Sequence, residues 1–228
     1  MGFGSSFGSN TTPVVKNLII INVIMLLFTM FTGDFMYKYF ALYYVESEWF
    51  SPYQIITHMF MHGGFWHLFF NMYTLYIFGT LLENIWGSKK FFLYYMITGL
   101  GAAFLHELVM FFQAESYNAA IAAGDMYSGI KLKTLMLTPT VGASGAIYGL
   151  LLAYGMMFPN NIMRLIFPPI ALKAKWFVLI FGLIEFVSGL SGTMGNSADN
   201  VAHFAHLGGM LFGLIMILYW KKNHRLYN

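Results

Sequence analysis

The chain has 228 residues, of which 12 are Lys or Arg and 9 are Asp or Glu, only 9% in all, while hydrophobic residues reach 58%. An ordinary soluble domain carries about 25% charged residues, and so few charges would leave a water-exposed surface as one apolar patch. The soluble classes are excluded, and the chain reads as an integral membrane protein. A net charge of +3, with no basic run longer than two residues, gives no case for nucleic acid. Cysteine is absent, which removes disulfides, thiolate metal sites and a cysteine nucleophile. The 7 His are the anomaly, because a polar ring inside a bilayer is costly and usually functional.

A helix needs about 20 mostly apolar residues to cross the hydrocarbon. On that measure six spans are expected. The first runs from Asn17 to about Met36, and the second lies inside Trp49–Leu82, a stretch without Asp, Glu, Lys or Arg. The others are Phe91 to about Phe112, Val141 to about Phe158, Trp176 to about Met194, and Asn200 to Trp220, ended by Lys221-Lys222. The fold class is therefore all-α, a polytopic membrane protein of six transmembrane helices with both termini on one side. Lys16, Lys89, Lys90, Arg164, Lys173, Lys175, Lys221, Lys222 and Arg225 share the face of the termini, against Lys38, Lys131 and Lys133 on the other. That asymmetry puts the termini in the cytoplasm. Residues 1–16 read as a cytoplasmic polar tail, 17–220 as the six-helix domain and 221–228 as a cytoplasmic basic tail. Gln113–Thr140 reads as the longest extracytoplasmic loop. Met1-Gly2 with Ser6 formally fits a myristoylation pattern, but a flexible tail is the simpler reading. The first apolar run lacks a small-residue cleavage site after it and reads as a retained helix.

The polar residues within the membrane gather in three places. The second span is preceded and opened by His58, His62, His67 and Asn71, with Gly63-Gly64 expected to interrupt the helix and leave His58 and His62 in the loop that leads in. His67 and Asn71 are four apart, on one helical face, and both can donate hydrogen bonds. The fourth span opens Gly142-Ala-Ser144-Gly145, with Tyr148 one turn below Ser144, where its ring can support a group approaching the hydroxyl. Taken alone, the glycines there would be a helix-packing motif and the serine would bond its own backbone. The sixth span carries His203, His206, Gly209 and Gly213. A glycine seam lets helices approach to roughly 6–7 Å, which would bring His206 within reach of Ser144. At about 100° per residue His206 points about 20–60° from Gly209 and Gly213, and His203 about 80–120° away, so His206 is the one aimed into the crossing. His203 is expected to cap the cavity or bond a neighbour.

A serine needs a base to take its proton, and an acyl intermediate needs donors for its oxyanion. The chain offers a serine, a histidine that can pack on it, and a His-Asn pair of donors. No acid is placed to orient the base: Asp199 lies seven residues before His206 in a loop. A dyad is therefore expected. Other hydrolytic patterns fail on single residues. Met110 stands where His106-Glu107 would need a second metal-binding histidine, Ala146 where a nucleophile elbow needs glycine, and Ala122 where an aspartyl motif ending Gly124-Asp125 needs glycine. A transporter is disfavoured by six helices without a repeat and by few intramembrane charges, Glu107 and Glu185 being candidates for polar packing.

Over about Tyr53 to Gly213 these residues resemble the rhomboid intramembrane serine proteases. The resemblance rests on His58-x-x-x-His62-x-x-x-x-His67-x-x-x-Asn71, on Gly142-Ala-Ser144-Gly145 with Tyr148, and on Ala205-His206-Leu-Gly-Gly209 with Gly213. It implies a rhomboid-like bundle in a bacterial plasma membrane, with a water-filled cavity opening extracytoplasmically. Its substrate would be a transmembrane protein, with no cofactor and no metal; oligomeric state stays open. It further implies that Ser144 is the nucleophile and His206 the general base. His67 and Asn71 would serve the oxyanion with the Ser144 amide, and Gly142, Tyr148 and His62 would support them. Glu83, followed by Gly87-Ser88, would be a structural tether. The chain departs from the pattern at Tyr53-Gln54, where many members have Trp-Arg, and Gln54→Arg is expected to raise thermal stability slightly or not at all. The alternatives are an inactive relative that binds client helices, and a haem held by His67 and His206.

The charge asymmetry makes a topological prediction. Reporter fusions at Asn228 should report a cytoplasmic end and fusions at Met126 an external position; the reverse pattern would invert the orientation.

Overall fold

In a computed structural model the protein is described over residues 12–164, 170–194 and 200–226. The expectations about Met1-Gly2, Ser6 and Asp199 lie outside the described residues. Ten α-helices are present among them: α1 Pro13–Thr32, α2 Asp34–Phe40, α3 Gln54–Thr57, α4 Phe65–Thr74, α5 Thr80–Trp86, α6 Ser88–Ala122, α7 Met126–Leu137, α8 Ser144–Met157, α9 Ala174–Met194 and α10 Asn200–Lys222. Among the described residues the paired strands are those of a hairpin in which β1, Ile162–Arg164, pairs antiparallel with β2, Ala171–Lys173.

Among the described residues four helices are long and apolar enough to cross a membrane: α1, α6, 174–191 of α9 and 202–222 of α10. Their outer faces are oily, as Phe31 on α1 at 86% exposure and Leu183 on α9 at 59% illustrate. The other two expected spans take different forms. The second begins at Phe65, directly after the glycine pair, and runs through α4, a π-helical segment over Leu75–Gly79 and α5. The fourth, α8, has 14 residues. At about 1.5 Å per residue that is about 21 Å, short of the roughly 30 Å hydrocarbon core.

Two boundaries differ from expectation for local reasons. Pro13, suited to a first helical turn, starts α1 early, and Gly33 at φ 47 ends it, so Met36 belongs to the separate α2. The Gln113–Thr140 segment is largely helical rather than a loop. Helix α6 continues to Ala122, Gly124 turns the chain at φ 96, and the Asp125 side chain accepts the Tyr127 N–H at 3.0 Å to cap α7. The Ser128 hydroxyl, 2.6 Å from Asp125, holds that carboxyl below its ordinary range. Tyr44, Met110, Ala114 and Leu135 then form a small apolar cluster between this hairpin and the segment after α2.

Helix α10 packs most extensively on α6 and α8, and these three form the centre of the bundle. The α8–α10 contact is backbone on backbone: a Cβ on Gly209 would overlap the Gly145 carbonyl, and one on Gly145 would overlap the Ala102 side chain of α6. The Tyr94 hydroxyl, fully buried, donates to the Gly149 carbonyl at 2.8 Å and ties α6 to α8.

Two polar side chains fasten the periphery. Glu83 accepts the Val14 and Val15 N–H groups at 3.0 and 2.9 Å and the Ser88 hydroxyl at 2.6 Å. It thus satisfies donors that the first turn of α1 cannot pair internally, at the end where a helix favours negative charge. Gln54, 1% exposed, accepts from the Tyr43 and Ser51 N–H groups and donates to the Lys38 and Trp49 carbonyls. The segment between α2 and α4 is further stitched to the start of α8 by paired Leu42–Thr140 backbone bonds of 2.9 and 2.8 Å.

The burial of Gln54 overturns the expectation that an arginine there would raise stability slightly or not at all. Gln54→Arg removes two acceptor interactions and places a charge in a closed site. It should lower the thermal midpoint of the purified protein by an amount equivalent to about 1–3 kcal/mol; an unchanged or raised midpoint would show that the loop can open to admit a cation.

Candidate active site

Ser144 is the first residue of α8, so its N–H lies in the turn whose donors have no intrahelical partner. The serine Oγ lies 2.8 Å from His206 Nε2 on α10. This approach follows from the glycine crossing, because Ser144 directly precedes Gly145 and His206 lies one turn before Gly209. The Tyr148 ring lies on the imidazole of His206, centroids 4.2 Å apart and planes within 8°. Helix register thus puts a hydroxyl, a ring nitrogen able to accept its proton and a flat support for that ring at one crossing.

The opposite wall comes from α4 and the residues before it. His67 is partly buried, and the Gly63 N–H points at its Nδ1 at 3.4 Å, which leaves Nε2 to carry the ring proton. That edge of the ring faces Gly142, where a Cβ would come within 3.0 Å of both Cε1 and Nε2. Gly142 also has φ 136, so only glycine suits the place. Its N–H donates to the His58 carbonyl at 2.9 Å, and His58 Nδ1 lies 2.8 Å from the Gln54 carbonyl. Asn71 is buried one turn further on, with Nδ2 donating to the His67 carbonyl at 2.8 Å. No hydrogen bond joins His67 or Asn71 to Ser144 among the described residues. His62 is fully buried, neither ring nitrogen has a hydrogen-bond partner, and its ring meets that of His67 edge-on at 5.0 Å.

Beside the Ser144–His206 pair, and against α6 rather than α4, lies a cavity of about 40 Å³ lined by Ser144, His206, Gly142, His58, Thr140 and His106; His67 and Asn71 do not line it. It has room for about three water molecules, at roughly 10–15 Å³ each. Gly142 and Ser144 fill the space between His67 and His206, so a porphyrin spanning those two rings has no place.

One residue beside His206 was read from the sequence only as polar packing. Glu185, on α9 and only 6% exposed, accepts the Tyr148 hydroxyl and lies 2.5 Å from His203 Nδ1 and 3.1 Å from His206 Nδ1. The contact to His206 is oblique, for the ring N–H does not point along it and makes no aligned hydrogen bond. An acid does therefore stand beside His206, against the expectation that none would. The available signal was a carboxylate in the middle of an apolar span, which needs a partner. Glu185, His203 and His206 also carry ligand atoms within 4.8 Å of one another, a spacing a metal ion could use.

The rhomboid domain profile matches residues 49–223. The chain is 31% identical over 183 residues to Rhomboid-like protein 11, chloroplastic, of Arabidopsis thaliana, covering 79% of this chain and 56% of that one. It is 32% identical over 194 residues to Rhomboid protein 1, mitochondrial, of Saccharomyces cerevisiae, covering 82% and 47%. With the Rhomboid protease AarA of Providencia stuartii it shares 28% identity over 170 residues, 74% and 56% of the two chains. The protein belongs to the rhomboid family, whose members are helical membrane proteins. It spans about half the length of these relatives.

Proposed function

We propose that the protein is an intramembrane serine endopeptidase, cutting peptide bonds in or near transmembrane segments of other membrane proteins. The observation that carries this reading is the 2.8 Å contact between His206 Nε2 and Ser144 Oγ beside a water-sized cavity. A lone hydroxyl in a helix would bond its own backbone instead. In the proposed reaction His206 Nε2 takes the Ser144 proton as Oγ attacks the scissile carbonyl. The same nitrogen then returns that proton to the leaving amine, and a cavity water repeats the cycle on the acyl-enzyme. The carbonyl oxygen becomes an anion at the start of α8, where the Ser144 N–H is unpaired and the helix end favours negative charge. His67 and Asn71 are the proposed side-chain donors to it. Gly142 lets the substrate backbone approach, Tyr148 keeps the base in plane, and His62 backs His67.

The chain is placed in a membrane as a six-helix unit over 17–220, with cytoplasmic termini, a site opening extracytoplasmically and a bacterial plasma membrane as its setting. The α4–α5 run and the short α8 count as the second and fourth spans, α8 starting within the membrane depth rather than at its surface. The fitting substrate is a single-span protein whose helix unwinds easily near the outer interface. An inactive protein that holds client helices is the competing reading.

A fluorophosphonate probe separates the two. It should label the wild-type protein at Ser144, lose all labelling in Ser144→Ala and His206→Ala, and keep most of it in His203→Ala. A wild type that stays unlabelled would favour the client-binding reading. Retention in His206→Ala with loss in His203→Ala would reassign the base.

The oxyanion assignment is tested with a reporter transmembrane substrate. His67→Ala and Asn71→Ala should each lower turnover on the order of 10²–10³-fold, with thermal midpoints near wild type. Wild-type rates in both variants would remove the two residues from the reaction.

A further inference from the structure

We propose that Glu185 is a positioning residue, acting through His206, so that the site works as a Ser144–His206–Glu185 triad drawn from helices α8, α10 and α9. The inference rests on the protease reading above. For Nε2 to accept the serine proton it must be bare, and the ring proton must then sit on Nδ1. Among the described residues Nδ1 has no aligned hydrogen-bond partner, and the oxygen it faces is Glu185 Oε2 at 3.1 Å. An ionised carboxylate can only accept, so it selects the Nδ1–H form and stabilises the imidazolium while the proton resides on Nε2. No proton passes to Glu185. Oγ gives its proton to Nε2, the Oγ–carbon bond forms, and the carbonyl π electrons move to oxygen. The same proton then leaves Nε2 for the amine nitrogen as the carbon–nitrogen bond breaks.

The carboxylate is itself fixed. Oε1 takes the Tyr148 hydroxyl and Oε2 lies 2.5 Å from His203 Nδ1, while Tyr148 also stacks on the face of His206. The base is thus constrained at its edge by Glu185 and at its face by a ring that Glu185 anchors. An oblique 3.1 Å approach is compatible with the role, since catalytic hydrogen bonds commonly tighten and align only as the reaction proceeds. Mere packing is a weak account of the position: a carboxylate within an apolar span is costly, and both its oxygens are directed at the groups around the base.

The test measures fluorophosphonate labelling of the full-length protein in detergent micelles, resolving the maximal inactivation rate from the probe's half-saturating concentration. Glu185→Gln, equal in size but uncharged, should lower the maximal rate about 10–100-fold, as loss of one charge-assisted hydrogen bond predicts, with half-saturation within about twofold of wild type. Glu185→Asp and Glu185→Asn provide a second equal-sized pair that differs in charge, and the aspartate should label about tenfold or more faster than the asparagine. Equal rates within both pairs, beside a wild type that labels at Ser144, would overturn the triad and leave the protease reading standing. A wild type that does not label would overturn both.

Discussion

The contact on which the rest depends is the one between the Gly145 and Gly209 backbones. A serine side chain is short, and a histidine one turn from the crossing can meet it only if the two helices touch without intervening side chains. A single methyl at Gly209 would overlap the Gly145 carbonyl, and separating α8 from α10 by that thickness would carry Nε2 out of hydrogen-bonding range of Oγ. Helix α6 closes the arrangement from behind, with Ala102 against Gly145 and Tyr94 bonded to Gly149. The Ser144–His206 pair is thus held by tightly packed backbone, whose tolerance for displacement is small.

The parts legible from sequence were those whose physics is local. Long apolar runs marked the four helices long enough to cross a membrane, the glycine pair at 63 and 64 marked the start of α4, and helical spacing singled out His206 over His203. What escaped depended on neighbours far along the chain. Residues 113–122 contain Gln, Glu, Ser and Asn and read as a loop, yet they extend α6 because α7 folds back to cover Met110 and Ala114. Gln54 looked like a lost cation because the sequence could not place the Lys38 and Trp49 carbonyls around it. Glu185 was noticed but not connected to His206, since α9 and α10 are joined through residues that carry no motif.

Each of these buried polar groups follows one rule. In a chain with so few charges, and with hydrocarbon where a soluble protein has water, an unpaired carboxylate or amide would cost several kcal/mol. Glu83 therefore meets three donors, Gln54 makes four bonds and Glu185 faces three side chains. The polar residues fasten the places where hydrophobic packing alone is indifferent to rotation: the entry of α1, the segment after α2, and the azimuth of α9.

The π-helical segment at Leu75–Gly79 bears on the phase of the second span. An i→i+5 turn takes up one residue more than an α turn, so the two halves of that rod are wound out of step. The upper half presents His67 and Asn71 beside Gly142, while the lower half presents Glu83 to the start of α1. In an uninterrupted α-helix those two orientations would be rigidly geared together. The wide turn works as a slipped tooth between them, so the chemical end and the fastening end can each be indexed to a different neighbour. Gly79, against which Val15 and Phe91 already press, marks where that slip is absorbed.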